Sequence, residues 1–432
     1  MNYDKLFQQI RFLKENNQYY KKYFSNIGIN HMNIDEVNLI YKNSPVMTKS
    51  IILENLRDYL PETFSPQMNN NELITLFSDV SQLSTNHDRK LHIDGVDWIL
   101  ETTTGTTGKP FSILKTPSEK LYESKYLFDK RKSLFPFANS NNGFLLLEPI
   151  DPYLKTLTYL HSDKNQMQLL FQHMFIIKPK WLLCTTLLLR KLYKYAYENQ
   201  LFKEIKKLKL AFIETTSQKL TNDEFNEITY NFGTQIINQY GCREVWNIAY
   251  DCSYGHLHAN TRYLKIDIVD EEGKIIEEDN IIGEIIITSY LHKTFPFYKY
   301  FLGDLAKIKR DPCPCGSKDP IIILEIGRKK HRLVNTKYYG TEIFRKILRY
   351  IYFKHSYIKL EKIKIIQNNQ YKLSVYCLLE PALRDIFESV FIESSSHSIE
   401  NLKDFEISFI YNYPFPENKN ALKYEVFENL LF

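Results

Sequence analysis

The run Glu101-Thr-Thr-Thr-Gly-Thr-Thr-Gly-Lys-Pro-Phe111 gathers threonine hydroxyls, two glycines and a lysine in a stretch that makes a poor helix. Hydroxyls, free backbone N–H groups and an ammonium are what a polyphosphate requires, and glycine lets the backbone come close. The spacing is not that of a Walker A loop, which needs four residues between its glycines where this run has two. Val96–Leu100 before it has strand character, so the run reads as a loop leaving a sheet. Taken alone, a threonine-glycine turn with an exposed lysine reads equally well.

Three further segments carry groups a nucleotide could use. Tyr240-Gly-Cys-Arg-Glu244 follows a strand-like run; its tyrosine can stack on a base and its glutamate can hold Mg²⁺ against phosphate oxygens. Phe295-Pro-Phe-Tyr-Lys-Tyr-Phe-Leu-Gly-Asp304 ends in an acid suited to accept from two ribose hydroxyls. Gly327-Arg328 adds a guanidinium in reach of ribose or phosphate. Each has an ordinary reading of its own: a strand-to-loop junction, a turn aspartate and a solvated arginine.

Cysteine and histidine form a second constellation. Cys252 and His258, with His256 as the substitute, and the pair Cys313-Pro-Cys315 offer two ligand pairs on loop-like stretches. Cys-x-Cys closes a disulfide poorly, and spaced Cys/His pairs in a reducing compartment favour a structural Zn²⁺ over reduced, buried thiols. Cys184, Cys242 and Cys377 stand apart and read as core residues.

The elements that must position these groups divide the chain. Its 432 residues call for two or three domains. The start, about 1–95, reads as mainly helical, with Tyr3–Asn16 and Ser50–Tyr59 as amphipathic stretches and Thr48 as an N-cap. From about 100 to 245, apolar runs at Gly143–Leu147, Leu208–Ile213 and Gln235–Asn238 alternate with helical segments, an α/β pattern. A β-rich region holding the zinc residues follows at about 250–326, with strands expected at Tyr263–Val269, Gly283–Thr288, Ala306–Ile308 and Ile321–Ile326. After the basic stretch 327–332 comes an α+β piece with strands expected at Lys362–Ile366, Tyr371–Cys377 and Glu406–Tyr411. The expected division is therefore 1–329 and 330–432.

Composition narrows the function. Apolar content of 44% with 25% charge is that of a globular protein. A net charge of +5 suits an anionic ligand, and no Arg/Lys stripe argues for nucleic acid. No apolar run reaches the ~18 residues of a membrane span, and the N-terminus has no apolar signal region, so a cytoplasmic location is expected.

The order and spacing of the Thr/Gly/Lys loop, YGxxE, the strand opening at Gly283-Glu284, Gly303-Asp304 and Gly327-Arg328 resemble the adenylate-forming superfamily of acyl-CoA synthetases. Within it the chain looks most like the phenylacetate–CoA ligase and CapK-like branch, whose LPxxTK segment resembles Ser44-Pro-Val-Met-Thr-Lys49. The resemblance implies an α/β fold: a large N-terminal adenylate-forming domain with layered sheets and a β-rich subdomain, then a small mobile α+β C-terminal domain. It implies that Thr103, Thr104, Gly105, Thr106, Thr107, Gly108 and Lys109 cover the β- and γ-phosphates. Ser217 and Tyr240 would lie beside adenine, with Gly241 and Arg243 in the same nucleotide segment. Glu244 would bind Mg²⁺, Asp304 would hold the ribose hydroxyls, Arg328 would sit near ribose, and Lys330 would be the hinge. Three positions depart from the branch: Arg243 replaces Thr or Ser, Lys299 replaces Arg, and Ala421 falls where the C-terminal catalytic lysine belongs, leaving Lys419 and Lys423 as substitutes.

The activity so implied is ATP- and Mg²⁺-dependent conversion of a small carboxylic acid to an acyl-adenylate, then transfer to CoA. Transfer to an amine on a sugar, amino acid or carrier protein is the alternative, and a nucleotide-binding relative with impaired catalysis is the reading from another class. A homodimer stays open.

Overall fold

The computed structural model describes residues 3–25, 33–64, 67–82, 88–93, 95–103, 111–146, 164–217, 219–325, 332–336, 338, 340–411, 413–415 and 426–430. The first part is helical: α1 (Tyr3–Asn16), α2 (Gln18–Tyr23), α3 (Ile34–Asn43), α4 (Lys49–Glu54), α5 (Leu56–Tyr59) and α6 (Asn70–Gln82). The stretch expected as one helix over Ser50–Tyr59 is broken at Asn55, whose backbone (φ −123°, ψ 27°) leaves the helical basin. Thr48 caps α4, accepting from the Ile51 N–H at 3.4 Å.

A three-stranded antiparallel sheet follows, β1 (Asp88–Ile93), β2 (Val96–Thr102) and β3 (Ser112–Lys115). Its first strand lies inside the region expected as helical; Asp88–Ile93 is a short run without helical periodicity that pairs along its whole length with β2.

Helix α7 (Pro117–Leu134) starts on a capping box, Thr116 with Glu119. The α/β pattern then runs β4 (Gly143–Leu146), α8 (Lys164–Ile177), β5 (Trp181–Thr185), α9 (Thr186–Glu198), α10 (Phe202–Lys207), β6 (Phe212–Thr216), α11 (Asn222–Phe232) and β7 (Gln235–Tyr240). The strand expected from Leu208 begins at Phe212 because Leu208 and Lys209 close the end of α10, Lys209 at φ 51°. β4 to β7 are parallel neighbours. β8 (Ala249–Asp251), β9 (Leu257–Ala259), β10 (Leu264–Val269), β11 (Gly283–Ser289), β12 (Tyr300–Lys309) and β13 (Ile321–Leu324) extend them into one ten-stranded sheet, order β10-β11-β12-β13-β9-β8-β7-β6-β5-β4.

The helical start is fastened to this sheet by buried aromatics. Tyr298 packs edge-on against Tyr20, Phe24 and Tyr41. The Tyr41 hydroxyl donates to Asp267 at 2.8 Å. Met47 then pairs in parallel with Tyr300: its N–H donates to the Lys299 carbonyl and its carbonyl accepts from Phe301, each at 2.9 Å. Lys299, 1% exposed, spends its ammonium on the carbonyls of Lys42 and Ser44, and burial pushes its pKa down to about 8. The lysine that departs from the branch pattern is therefore a strut for the segment ending at Lys49.

A second compact unit is formed by Lys219–Glu224, Gly303–Leu305 and Leu324–Phe432. Its main body is the sheet of β14 (Lys362–Asn369), β15 (Lys372–Leu378), β16 (Glu406–Ile410) and β17 (Phe427–Asn429), order β16-β15-β14-β17, with α12 (Gly340–Lys354) and α13 (Arg384–Ser398). Phe344, Phe387, Phe391 and Phe427, all fully buried, centre its core. Gly340 is obligatory, since a Cβ there would stand 2.2 Å from the Phe427 ring.

Candidate active site

The phosphate-loop candidate spans the turn of the β2–β3 hairpin. Thr102 and Ser112 are register partners; beyond them the Thr103 N–H donates to the Phe111 carbonyl at 2.8 Å, and the Thr103 hydroxyl accepts from the Phe111 N–H at 3.1 Å. Thr103 and Phe111 thus pinch the base of the loop. Thr104, Gly105, Thr106, Thr107, Gly108 and Lys109 lie outside the described residues, as do Arg328, Lys330, Lys419 and Lys423.

Ser217 and Tyr240 stand at the carboxyl ends of adjacent parallel strands. Thr215 pairs with Asn238, so Ser217 just past β6 and Tyr240 closing β7 reach the same edge. In open α/β sheets that edge is where ligands bind. Ser217 has φ 87°, a left-handed turn that carries the chain off the sheet. The turn after Tyr240 is tight: a Cβ on Gly241 would meet the Trp246 carbonyl oxygen at 1.7 Å. Glycine is required there, and it fixes where Arg243 and Glu244 emerge.

Glu244 is half-buried and receives the Tyr300 hydroxyl at 3.1 Å. Lys49, at the first turn of α4, lies over the Phe111 ring at 5.3 Å and within the field of Glu244. Burial lowers the pKa of Lys49, and the Glu244 charge partly offsets that. A carboxylate, a phenol and an ammonium therefore converge on the base of the hairpin loop. Sequence reasoning singled out Glu244 and noted the Lys49 segment without giving Lys49 a role, and it missed Tyr300. Tyr300 differs in nothing local from the aromatics around it, and the Met47–Tyr300 bridge ties the segment ending at Lys49 to its strand. Asp304 lies in β12 just after Gly303, whose φ is 74°.

The metal candidates come together. One ligand atom from each of Cys252, His258, Cys313 and Cys315 lies within 4.8 Å of every other. The His258 Nδ1–H donates to the Asp319 carbonyl at 2.8 Å, which leaves Nε2 as the lone-pair nitrogen facing Cys315 Sγ at 3.4 Å. Such a backbone bond is how a ligating histidine has its tautomer fixed. His256 stands beside the group, Nδ1 3.1 Å from Cys313 Sγ. Asp251, next to Cys252, accepts the Asn238 N–H at 2.7 Å, linking this cluster to the strand that ends in Tyr240.

One arrangement that looks catalytic is not. Ser289, His292 and Glu123 are linked in order at 2.6 and 2.8 Å, yet all three are at most 1% exposed, so no substrate reaches the hydroxyl.

No protein-family model and no curated protein matches the chain by sequence. Solved structures do match. A 2-hydroxyisobutyryl-CoA ligase in the post-adenylation state with 2-HIB-AMP aligns at a TM-score of 0.70 and 11% identity, over 99% of this chain and 88% of that one. The same ligase with R3-HIB-AMP aligns at 0.69 and 12%, over 99% and 88%. ATP-bound MatB from Rhodopseudomonas palustris aligns at 0.50 and 14%, over 76% and 66%. The chain has the fold of the adenylate-forming CoA ligases. At these identities the likeness establishes the fold, and the CoA-ligase fold expected from the resemblance is the one found. Among the described residues, no helix is long and apolar enough to cross a membrane.

Proposed function

We propose that the protein is an AMP-forming acid ligase of the phenylacetate–CoA ligase and CapK-like branch. It activates a small carboxylic acid with ATP, releases pyrophosphate, and passes the acyl group to CoA. The observation that carries this reading is the meeting of Glu244, Tyr300 and Lys49 at the pinched base of the Thr/Gly/Lys hairpin, on a sheet whose parallel strands end in Ser217 and Tyr240. Attack of a carboxylate on the α-phosphate needs charge neutralised more than it needs a base.

Each residue then has a task. Glu244 offers a hard oxygen ligand, oriented by Tyr300, which fits Mg²⁺. Mg²⁺, when bound, neutralises phosphate charge. Lys49 holds a second positive charge beside the loop, next to that expected of Lys109. Gly241 sets the tight turn from which Arg243 and Glu244 emerge, and Arg243 offers its guanidinium to the phosphates. Asp304 takes the ribose hydroxyls, and Arg328 sits near ribose. Lys330 serves as the hinge position, and Lys419 or Lys423 as the C-terminal cation that the resemblance calls for.

The Cys252, His258, Cys313 and Cys315 donors, three thiols and one imidazole with its tautomer fixed, fit a structural Zn²⁺. Its four-ligand set is closed, so its contribution is to the shape of the β7–β9 region. The acid pocket is expected beside Trp246, which packs against the apolar cluster of Trp181, Phe212, Ile237 and Tyr250.

The test is pyrophosphate release with ATP, Mg²⁺ and a panel of carboxylic acids, with mass spectrometry of the acyl-adenylate, repeated with CoA added. An acyl-adenylate that becomes a thioester supports the reading. One that persists with CoA but is consumed by amines moves the acceptor to the alternative class. Silence across the panel refutes acid activation.

A further inference from the structure

Behind the hairpin lies a cluster of charges that none of the roles above uses. Lys115, the last residue of β3, is fully buried. Its ammonium donates to Glu123 Oε1 at 2.7 Å and to the Arg243 carbonyl at 3.0 Å, and it pairs with Glu101 Oε2 at 2.8 Å. Glu101 and Glu123 are themselves fully buried. Glu101 also pairs with Lys120 and accepts the Trp246 indole N–H at 3.1 Å; the Lys120 ammonium stands 3.6 Å from the Trp246 ring centroid. Glu123 is bonded in turn to His292.

Two carboxylates and two ammoniums balance in charge, so the cluster is tolerated in the interior. Replacing a buried ionic set with apolar side chains of similar size is often neutral or stabilising, so core stability alone does not account for this one. Its placement is what an apolar replacement could not supply. Glu101 opens the phosphate-loop run on β2, and Lys115 closes the hairpin on β3. Arg243, whose carbonyl Lys115 holds, immediately precedes Glu244.

We propose, resting on the ligase reading, that Lys115 is a positioning residue. It ties both strands of the phosphate-loop hairpin to the backbone of the Glu244 turn, and so sets the distance between the loop and the metal-binding carboxylate. It touches neither substrate nor metal. Its effect reaches the reaction through the register of two segments that must hold one Mg²⁺–polyphosphate between them. A misplacement of about 1 Å in such a pair costs about 10²-fold in rate.

The test compares K115M with K115M/E123Q. The single change leaves Glu123 uncompensated. The double change restores charge balance, since Glu101 keeps Lys120 and the amide carbonyl introduced by E123Q still accepts from His292. Wild-type protein is first shown to form an acyl-adenylate. If it forms none with any acid, the ligase reading fails before the strut is at issue. With that established, pyrophosphate release is measured against Mg²⁺ concentration at saturating acid. The expected result, in the charge-balanced variant with near wild-type melting temperature, is a fall in kcat of about 10²-fold and a clear rise in half-saturating Mg²⁺, with KM for the acid little changed. A structural role alone would lower the melting temperature of K115M and leave the Mg²⁺ dependence in place. A folded K115M/E123Q protein with wild-type kcat and Mg²⁺ dependence overturns the proposal.

Discussion

Replacing Lys49 with methionine removes one charge while keeping the bulk of the side chain. Methionine retains an unbranched stem against the Phe111 ring, and the substitution sits in the first turn of α4, where Thr48 still caps the helix. Stability should therefore change little, and the main effect should fall on the reaction. Losing one preorganised cation at a site of developing charge costs about 10²–10³ in kcat, about 3–4 kcal/mol of transition-state stabilisation. The pH dependence sharpens this. Burial lowers the Lys49 pKa, opposed in part by Glu244, and the protonated form is the one that serves. Activity is therefore present below the lowered pKa and is lost as pH rises through it, at a pH below that of an ordinary lysine. Arginine at this position keeps its charge to higher pH, so K49R should retain activity where the wild type has begun to fall. The assay is pyrophosphate release at saturating ATP, Mg²⁺ and acid over a neutral-to-alkaline pH series, with melting temperatures taken alongside. A folded K49M protein within about twofold of wild type, or one with the same alkaline fall, would refute the role given to Lys49.

Four other outcomes follow from the geometry. Glu244→Gln should lower kcat by about 10²-fold or more and weaken Mg²⁺-dependent ATP binding, read by calorimetry, while Tyr300→Phe should do the same more mildly, by the loss of one hydrogen bond to a charged group. Cys313→Ser should abolish bound zinc by elemental analysis and lower the melting temperature, and chelation of the wild type should raise hydrogen exchange in Gln235–Tyr240 through the Asp251–Asn238 link. Gly241→Ala should be severely destabilising or inactive, because the added Cβ would overlap the Trp246 carbonyl. Lys299 is held below its unfolded pKa, so the unfolded chain binds more protons between about pH 8 and 10; wild-type stability should rise across that window relative to K299M, and a flat difference would contradict its burial.

Local signals were legible where one residue's chemistry fixed the backbone. Thr48 opens α4 by capping, as its place after Ser44-Pro-Val-Met led one to expect, and Gly241 and Gly283, within the nucleotide motifs, mark close approaches to other atoms. The four metal candidates were readable because sulfur and imidazole in spaced pairs have few other uses. The break at Asn55 and the late start of β6 were not, since apolar periodicity runs through both. Least legible was the set around Glu101 and Lys115. A lysine closing the buried strand Ser112–Lys115 signals that something compensates it, but its partners come from α7, β2 and the Glu244 turn, separations that one-dimensional patterning does not reach. Lys299 is similar: the resemblance leads one to expect arginine there, and the partners that its ammonium meets, the carbonyls of Lys42 and Ser44, are more than 250 residues away in the chain.

Calorimetric titration of ATP with and without Mg²⁺, in wild type and in Glu244→Gln, bears most directly on the claim that the hairpin loop and Glu244 grip one nucleotide. The expected result is saturable binding that strengthens with Mg²⁺ in the wild type and loses that strengthening in the variant. Wild-type protein that binds no ATP, or a Glu244→Gln variant that responds to Mg²⁺ as fully as the wild type, would contradict the account.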